Sequence, residues 1–318
     1  MLRQVLLRLS HANWPRRIVG HSGAAGQIAA RFVAGERIDD AIRAVRKLNA
    51  QAMLATVDHL GESVTTAAEA ERATEDYLKL LDRLGKTGVR ANASLKLTQL
   101  GLKLSLALCV DNLKRVLENA RRHQTFIRLD MEDYSVLDHT LQTFRAVREL
   151  GYGNVGVVLQ AYLYRTAADL RRLADEGVRI RLVKGAYKEP PYVAFPRKRD
   201  VDANYVALAK MLLDASRRSG LRADPAGLVP PMAAIATHDE KIIRVLKQYV
   251  TEKSIPRDAF EFQMLFGIRR DLQETLTGEG YSVRVYVPYG TEWYPYFMRR
   301  LAERPANLWF FVSNFFRK

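Results

Sequence analysis

At 318 residues, with 48% hydrophobic and 27% charged residues, the chain can bury one large core or two ordinary ones, which excludes a disordered class of protein. A single cysteine excludes an internal disulfide, and no uninterrupted apolar run reaches the length of about 18 residues that a membrane span needs, so a soluble protein of a reducing compartment is expected. The net charge of +15 favours anionic partners of any kind. Its basic residues are scattered in pairs such as Arg16-Arg17 and Arg269-Arg270, with no nucleic-acid-binding module around them, so nucleic acid is not expected among the partners.

Residues 1–45 read as an N-terminal helical extension. The first 35 carry several Arg and no acidic residue, a pattern shared with organelle transit peptides. Gly20, Gly23 and Gly26, and the lack of a long periodic apolar face, favour an arm of the mature protein instead. From 46 to 318 the chain alternates short apolar, β-rich runs with segments of helical periodicity. Strands are predicted at 52–57, 93–97, 126–131, 155–160, 178–183, 232–237, 260–265 and 282–287. Helices are predicted between them at 66–84, 112–123, 137–150, 167–176, 203–217, 240–249 and 270–276. Eight β-then-α units predict one (β/α)8 TIM barrel in the α/β class, with its chemistry at the C-terminal strand ends.

Polar residues fall at those ends: Asp58 and Glu62, Lys96, Asp130 with Glu132 and Asp133, Gln160 and Tyr162, Arg181 with Lys184 and Tyr187, His238 with Asp239, and Tyr286. They predict a charged mouth above an apolar barrel. Lys96 within a strand is costly to bury unpaired, which makes it the least bland of these residues, with a structural pair with Asp130 as the bland alternative. Cys109 lies in the apolar run 104–110, where a packed, inert thiol is expected.

Two motifs fail on context. Gly151-Tyr152-Gly153-Asn154-Val155-Gly156 spells G-x-G-x-x-G but precedes a strand instead of opening a helix after one. Gly20-His21-Ser22-Gly23-Ala24 lacks the last glycine of a nucleophile elbow. The six His show no H-E-x-x-H spacing, and no metal site is expected.

Two segments point to anionic ligands. In Arg181-Leu182-Val183-Lys184-Gly185-Ala186-Tyr187 a strand core ends in a cation and then a glycine, which lets backbone approach a ligand. Pro196-Arg197-Lys198-Arg199 adds cations suited to phosphate. Near the end, Tyr296, Arg299, Arg300 and Glu303 stand at i, i+3, i+4 and i+7 on one helix face. Paired guanidinium donors there match a small carboxylate, although a solvated face with an i,i+4 pair of Arg299 and Glu303 has the same spacing.

Together these segments resemble the proline dehydrogenases, flavoenzymes that oxidise L-proline to Δ1-pyrroline-5-carboxylate. The strand-five run R-L-V-K-G-A-Y carries the likeness. So, in order along the chain, do Leu95-Lys96-Leu97-Thr98, Ile127 to Asp133, Val158-Leu159-Gln160-Ala161-Tyr162, Ala236-Thr237-His238-Asp239, Phe260 to Met264, Tyr286-Val287-Pro288-Tyr289-Gly290 and the final helix face. The resemblance spans about 53 to 307 and is that of the monofunctional bacterial type. It implies a distorted barrel with the last helix over its mouth, hydride transfer to N5 of non-covalent FAD, and electrons passed to a quinone.

By the same resemblance, Arg299 and Arg300 would clamp the proline carboxylate beside Lys96 and Asp130. Tyr286, Tyr296 and Leu182 would pack around the pyrrolidine ring, with Tyr187 closing the pocket. Arg181 and Gln160 would meet the flavin ring, and Val183, Lys184, Gly185, Lys198, Thr237, His238 and Glu303 would hold the rest of FAD. Glu62 would gate the site by pairing with an arginine of the last helix. Pro196 and Asp239 depart from some relatives, which carry a hydroxyl residue and Asn there. A cytoplasmic protein is implied, with peripheral contact at the inner face of the membrane and a pyrroline-5-carboxylate dehydrogenase as partner. The residues alone leave two rivals open: a flavin-free barrel enzyme acting on a carboxylated or phosphorylated small molecule, and a nucleic-acid-binding protein.

Overall fold

The computed structural model describes residues 31–61 and 63–303, for 299–303 the backbone alone. The expected helical arm falls mostly on residues 1–30, outside the described residues. Eight parallel strands close on themselves in chain order, the last pairing with the first, with Thr56 opposite both Asn92 and Tyr286. The strands are β1 (Leu54–His59), β2 (Ala91–Leu95), β3 (Ile127–Leu129), β4 (Val155–Gln160), β5 (Ile180–Val183), β6 (Ala233–Ala236), β7 (Phe260–Leu265) and β8 (Val283–Tyr289). Two match their predicted bounds and the others shift or shorten by a few residues.

Nine helices are described: α1 (Ile38–Ala50), α2 (Ala67–Thr87), α3 (Leu106–Arg122), α4 (Tyr134–Glu149), α5 (Thr166–Asp175), α6 (Lys198–Ser219), α7 (Glu240–Glu252), α8 (Arg270–Gly278) and α9 (Trp293–Glu303). Local chemistry sets their ends. Thr66 and Glu69 form a capping box that starts α2, and Gly88 in the left-handed region stops it. Ser105 caps α3, which therefore begins six residues before its predicted start, because the apolar run at 106–110 forms its first turns. Cys109 is fully buried there, and burial pushes its thiol up to about 12. The boundary at 45 falls inside α1, whose buried Ala41, Ile42, Val45 and Leu48 join the barrel core.

The barrel interior is not apolar, contrary to expectation. Arg128, Glu261 and Arg284 are almost completely buried within it, alongside Thr56, Asn92 and Ser94. Arg284 donates to Glu261 at 2.8 Å and to the carbonyls of Ala55 and Gly227, tying the α6–β6 loop across the barrel floor. Arg284 and Glu261 offset each other as an ion pair, while Arg128 donates from Nη1 to the carbonyls of Val157 and Arg179 and lies over the Phe126 ring. Gly156, the last glycine of the discarded G-x-G-x-x-G, has a structural use: a Cβ there would lie 2.8 Å from Arg128 Nη1 and 2.3 Å from the Arg179 carbonyl.

A second, smaller cluster caps the C-terminal strand ends. Phe32, Val33, Leu60 and Ile268 pack against Tyr294, Tyr296, Phe297 and Met298 of α9. This docks the last helix over the mouth, as the family resemblance implies.

Candidate active site

One cavity of about 1270 Å³ opens at the C-terminal ends of the strands. It exceeds the roughly 300–1,000 Å³ of an ordinary small-molecule site, leaving room for an extended cofactor and a small substrate together. Of the predicted site residues whose side chains are described, all but Leu182 line it: Lys96, Asp130, Gln160, Arg181, Val183, Lys184, Gly185, Tyr187, Lys198, Thr237, His238, Tyr286 and Tyr296. Strand alternation accounts for Leu182, since Arg181 and Val183 face the cavity and Leu182 is fully buried in the core, its carbonyl accepting from Tyr205 of α6. Glu62 and the side chains of Arg299, Arg300 and Glu303 lie outside the described residues. The backbone of α9 carries positions 299 and 300 one turn beyond Tyr296.

At the centre of the cavity, Asp130 collects three partners. Arg181 donates to its Oδ1 at 2.8 Å, Ser94 donates to the same oxygen at 2.7 Å, and Tyr286 donates to Oδ2 at 2.8 Å. The Arg181 guanidinium also sits 5.5 Å from the centre of the Tyr286 ring. Burial, and then the Asp130 charge, raise the Tyr286 phenol well above its ordinary value, so it stays a donor. With Asp130 so occupied, Lys96 pairs with Asp58 at 3.2 Å, not with Asp130 as the bland alternative had it. Asp58, fully buried, also receives Tyr77.

The outer part of the cavity carries a cluster of cations and acids. Lys184 donates to Asp202 and, at 3.0 Å, to Asp239, while Lys198 pairs with Asp202 one helical turn away. Burial works to raise the carboxyls of Asp202 and Asp239, but the hydrogen bonds and charges of Lys184 and Lys198 outweigh it and hold both below their ordinary values. Gly185 has φ +116°, and a Cβ on it would stand 2.4 Å from the Tyr162 ring. The missing side chain thus makes way for Tyr162, while Gly185 itself lines the cavity.

The reading of the sequence missed Ser94, Asp202 and Gln263 as members of the site, and placed Asp58 at the mouth without giving it a partner. Ser94 and Lys96 are two apart, and Lys198 and Asp202 four apart, so strand and helix spacing signal those two. Gln263 stands two residues after Glu261 on the same face of β7.

Two features bear on a cofactor. Gln160 donates from Nε2 to the carbonyls of Met131 and Glu132, and its buried Oε1 has no donor among the described residues. A heterocycle edge bearing an N–H would satisfy it. His238 Nε2 accepts from the Leu265 N–H at 2.9 Å, so this ring nitrogen is held in structure.

A parallel (β/α)8 barrel with a large, charge-lined cavity at its C-terminal strand ends has the frame of an enzyme that binds a small anionic substrate beside a cofactor. Comparison with known proteins makes the class specific. The proline dehydrogenase family profile matches residues 41–312. Proline dehydrogenase 1 of Bacillus subtilis strain 168 is 42% identical over 318 residues, covering all of both chains. The proline dehydrogenase of Deinococcus radiodurans is 43% identical over 291 residues, covering 90% of this chain and 89% of that one. Among solved structures, proline utilization A (PutA) of Bdellovibrio bacteriovorus, inactivated by N-propargylglycine, superimposes with a TM-score of 0.77 at 29% identity over 88% of this chain, which spans 33% of that longer one. The chain belongs to the proline dehydrogenase family of oxidoreductases.

Proposed function

We propose that the chain oxidises L-proline to Δ1-pyrroline-5-carboxylate with non-covalent FAD and passes the electrons to a quinone. The observation that carries this reading is the set Arg181, Asp130, Tyr286 and Gln160 in a cavity large enough for two ligands, beneath the helix that bears Arg299 and Arg300. The residues present fit FAD. Gln160 Oε1 awaits a donor, Arg181 offers a cation, and Lys184, Lys198, Thr237 and His238 line the outer cavity where phosphates would lie. Cys109 is packed away in α3 and His238 Nε2 is occupied, which supports a cofactor held without a covalent bond.

FAD, when bound, supplies the two-electron acceptor. The protein's part is binding, orientation and exclusion of water. Arg299 and Arg300 clamp the carboxylate and thereby choose which ring carbon faces the cofactor. Tyr286 and Tyr296 flank the pyrrolidine ring, Lys96 and Asp130 stand beside it, Tyr187 closes the pocket, and Glu303 belongs with the residues that hold FAD. Asp130 fixes Arg181 so that its charge is already in place when negative charge develops on the acceptor. Glu62, on the β1–α2 loop, gates entry by pairing with a clamp arginine. Net charge of +15 suits peripheral contact with an anionic bilayer, where a quinone resides, and the product suits a pyrroline-5-carboxylate dehydrogenase as next user.

N-Propargylglycine, the compound that inactivates the Bdellovibrio relative, is like proline a secondary α-amino acid. It should inactivate this enzyme irreversibly, with a changed flavin spectrum and protection by L-proline. Full activity after prolonged exposure would argue against the proposed pose.

A further inference from the structure

We propose that Glu261 is a positioning residue for Arg181, acting through the side-chain amide of Gln263 from the barrel floor. The inference rests on the reading that Arg181 faces the flavin. Glu261 and Arg284 are an ion pair at 2.8 Å with side chains 0% and 1% exposed. The remaining donors of Arg284 bind the carbonyls of Ala55 at 3.0 Å and Gly227 at 2.9 Å, so the pair is anchored to the floor of the barrel. Glu261 Oε1 receives Nε2 of Gln263, and Gln263 Oε1 receives Nε of Arg181.

An amide has one donor end and one acceptor end, a carboxylate only accepts, and a guanidinium only donates. Glu261 can therefore face only the NH2 end of Gln263, which leaves the oxygen end for Arg181. Turning the amide over would set two donors against each other at Arg181 and two acceptors at Glu261. The polarity of Gln263 is thus dictated from the floor, and with it one edge of the Arg181 guanidinium. Asp130 at 2.8 Å and Ser94 at 3.2 Å fix the opposite edge. Without Glu261 the guanidinium keeps its charge but loses the definition of its plane, and a displacement there weakens its grip on charge developing nearby.

The test uses the full-length holoenzyme with Glu261→Gln, Gln263→Leu and the double variant. Each should bind flavin stoichiometrically, keep KM for L-proline within about twofold, and lose roughly tenfold in kcat, the scale of one misplaced electrostatic contact. The bound flavin should become harder to reduce, a tenfold change in the equilibrium corresponding to about 30 mV for two electrons. Because Glu261 acts through Gln263, the double variant should be no worse than Gln263→Leu alone. Should Glu261→Gln fail to fold, Gln263→Leu carries the test by itself, since it breaks the same link and leaves the buried ion pair intact. Wild-type potential and kcat in a folded, flavin-loaded Gln263→Leu would overturn the proposal, as would strictly additive losses in the double variant. Absence of proline-reducible flavin in the wild type would instead overturn the reading on which it rests.

Discussion

Asp130 decides how the charges in this cavity are shared. It stands next to Lys96 across the β2–β3 register, in which Leu95 pairs with Leu129. Asp58 stands on the other side of the same lysine, on β1. The sequence offers Lys96 both acids and no means to choose. The choice is made by residues far away in the chain, because Arg181 and Tyr286 take up Asp130 and leave Asp58 to the lysine. Removing the lysine ammonium would strand a fully buried carboxylate. Lys96→Met should therefore destabilise the protein by about 3–5 kcal/mol, with much of the loss recovered in Lys96→Met/Asp58→Asn, as read by urea unfolding. Recovery with Asp130→Asn in place of Asp58→Asn would instead assign the lysine to Asp130.

Asp202 and Asp239 support a second residue-scale prediction. Their folded-state carboxyls titrate below the ordinary value of 3.8, so the stability they add is complete above that pH and is lost as pH falls through the lower folded values. In urea titrations below about pH 4, the wild type should lose stability more steeply than Asp202→Asn. Equal slopes would show that the lysine contacts contribute nothing. For the proposed clamp, Arg299→Met or Arg300→Met should raise KM for L-proline by an amount equivalent to about 1.5–3 kcal/mol while flavin content survives. Unchanged kinetics in both would return α9 to a solvated face.

At the scale of elements, the strands were legible because most are short apolar runs closed or followed at once by a polar residue, as at Val155–Gln160 and Ile127–Leu129 with Asp130 after it. The start of α3 was not, because nothing in the apolar stretch after Ser105 distinguishes the first turns of a buried helix from loop. Nor was the polar interior of the barrel, since Arg128, Glu261 and Arg284 are each the second residue of a strand that was read as an apolar run. Gly185 stood out in the sequence for its backbone, but its neighbour Tyr162 could be supplied only by the fold. The β1–α2 loop is the element for which a gate is proposed. Glu62→Ala should slow flavin reduction in rapid mixing at low L-proline, less severely than loss of either clamp arginine, with spectrum and fold unchanged. A reduction rate that matches wild type at every proline concentration would make Glu62 a surface charge.

For the whole molecule, the order of eight β-then-α units defines the barrel, and the barrel brings to one mouth residues as far apart as Lys96 and Tyr296. Sequence reasoning reaches that mouth because the fold fixes where chemistry collects. It stops short of partner choice within the mouth, which depends on register and on competition among charges. The net charge of +15 is a property of the whole surface and selects no single partner.

The central claim is tested most directly by the absorbance spectrum of the purified protein under anaerobic conditions, before and after L-proline and then after a soluble quinone. The account predicts the bands of oxidised flavin at the start, their bleaching by L-proline, their return with quinone, and release of intact FAD by heat or acid. A folded protein that is colourless and takes up no FAD, or whose flavin L-proline leaves oxidised, would contradict it.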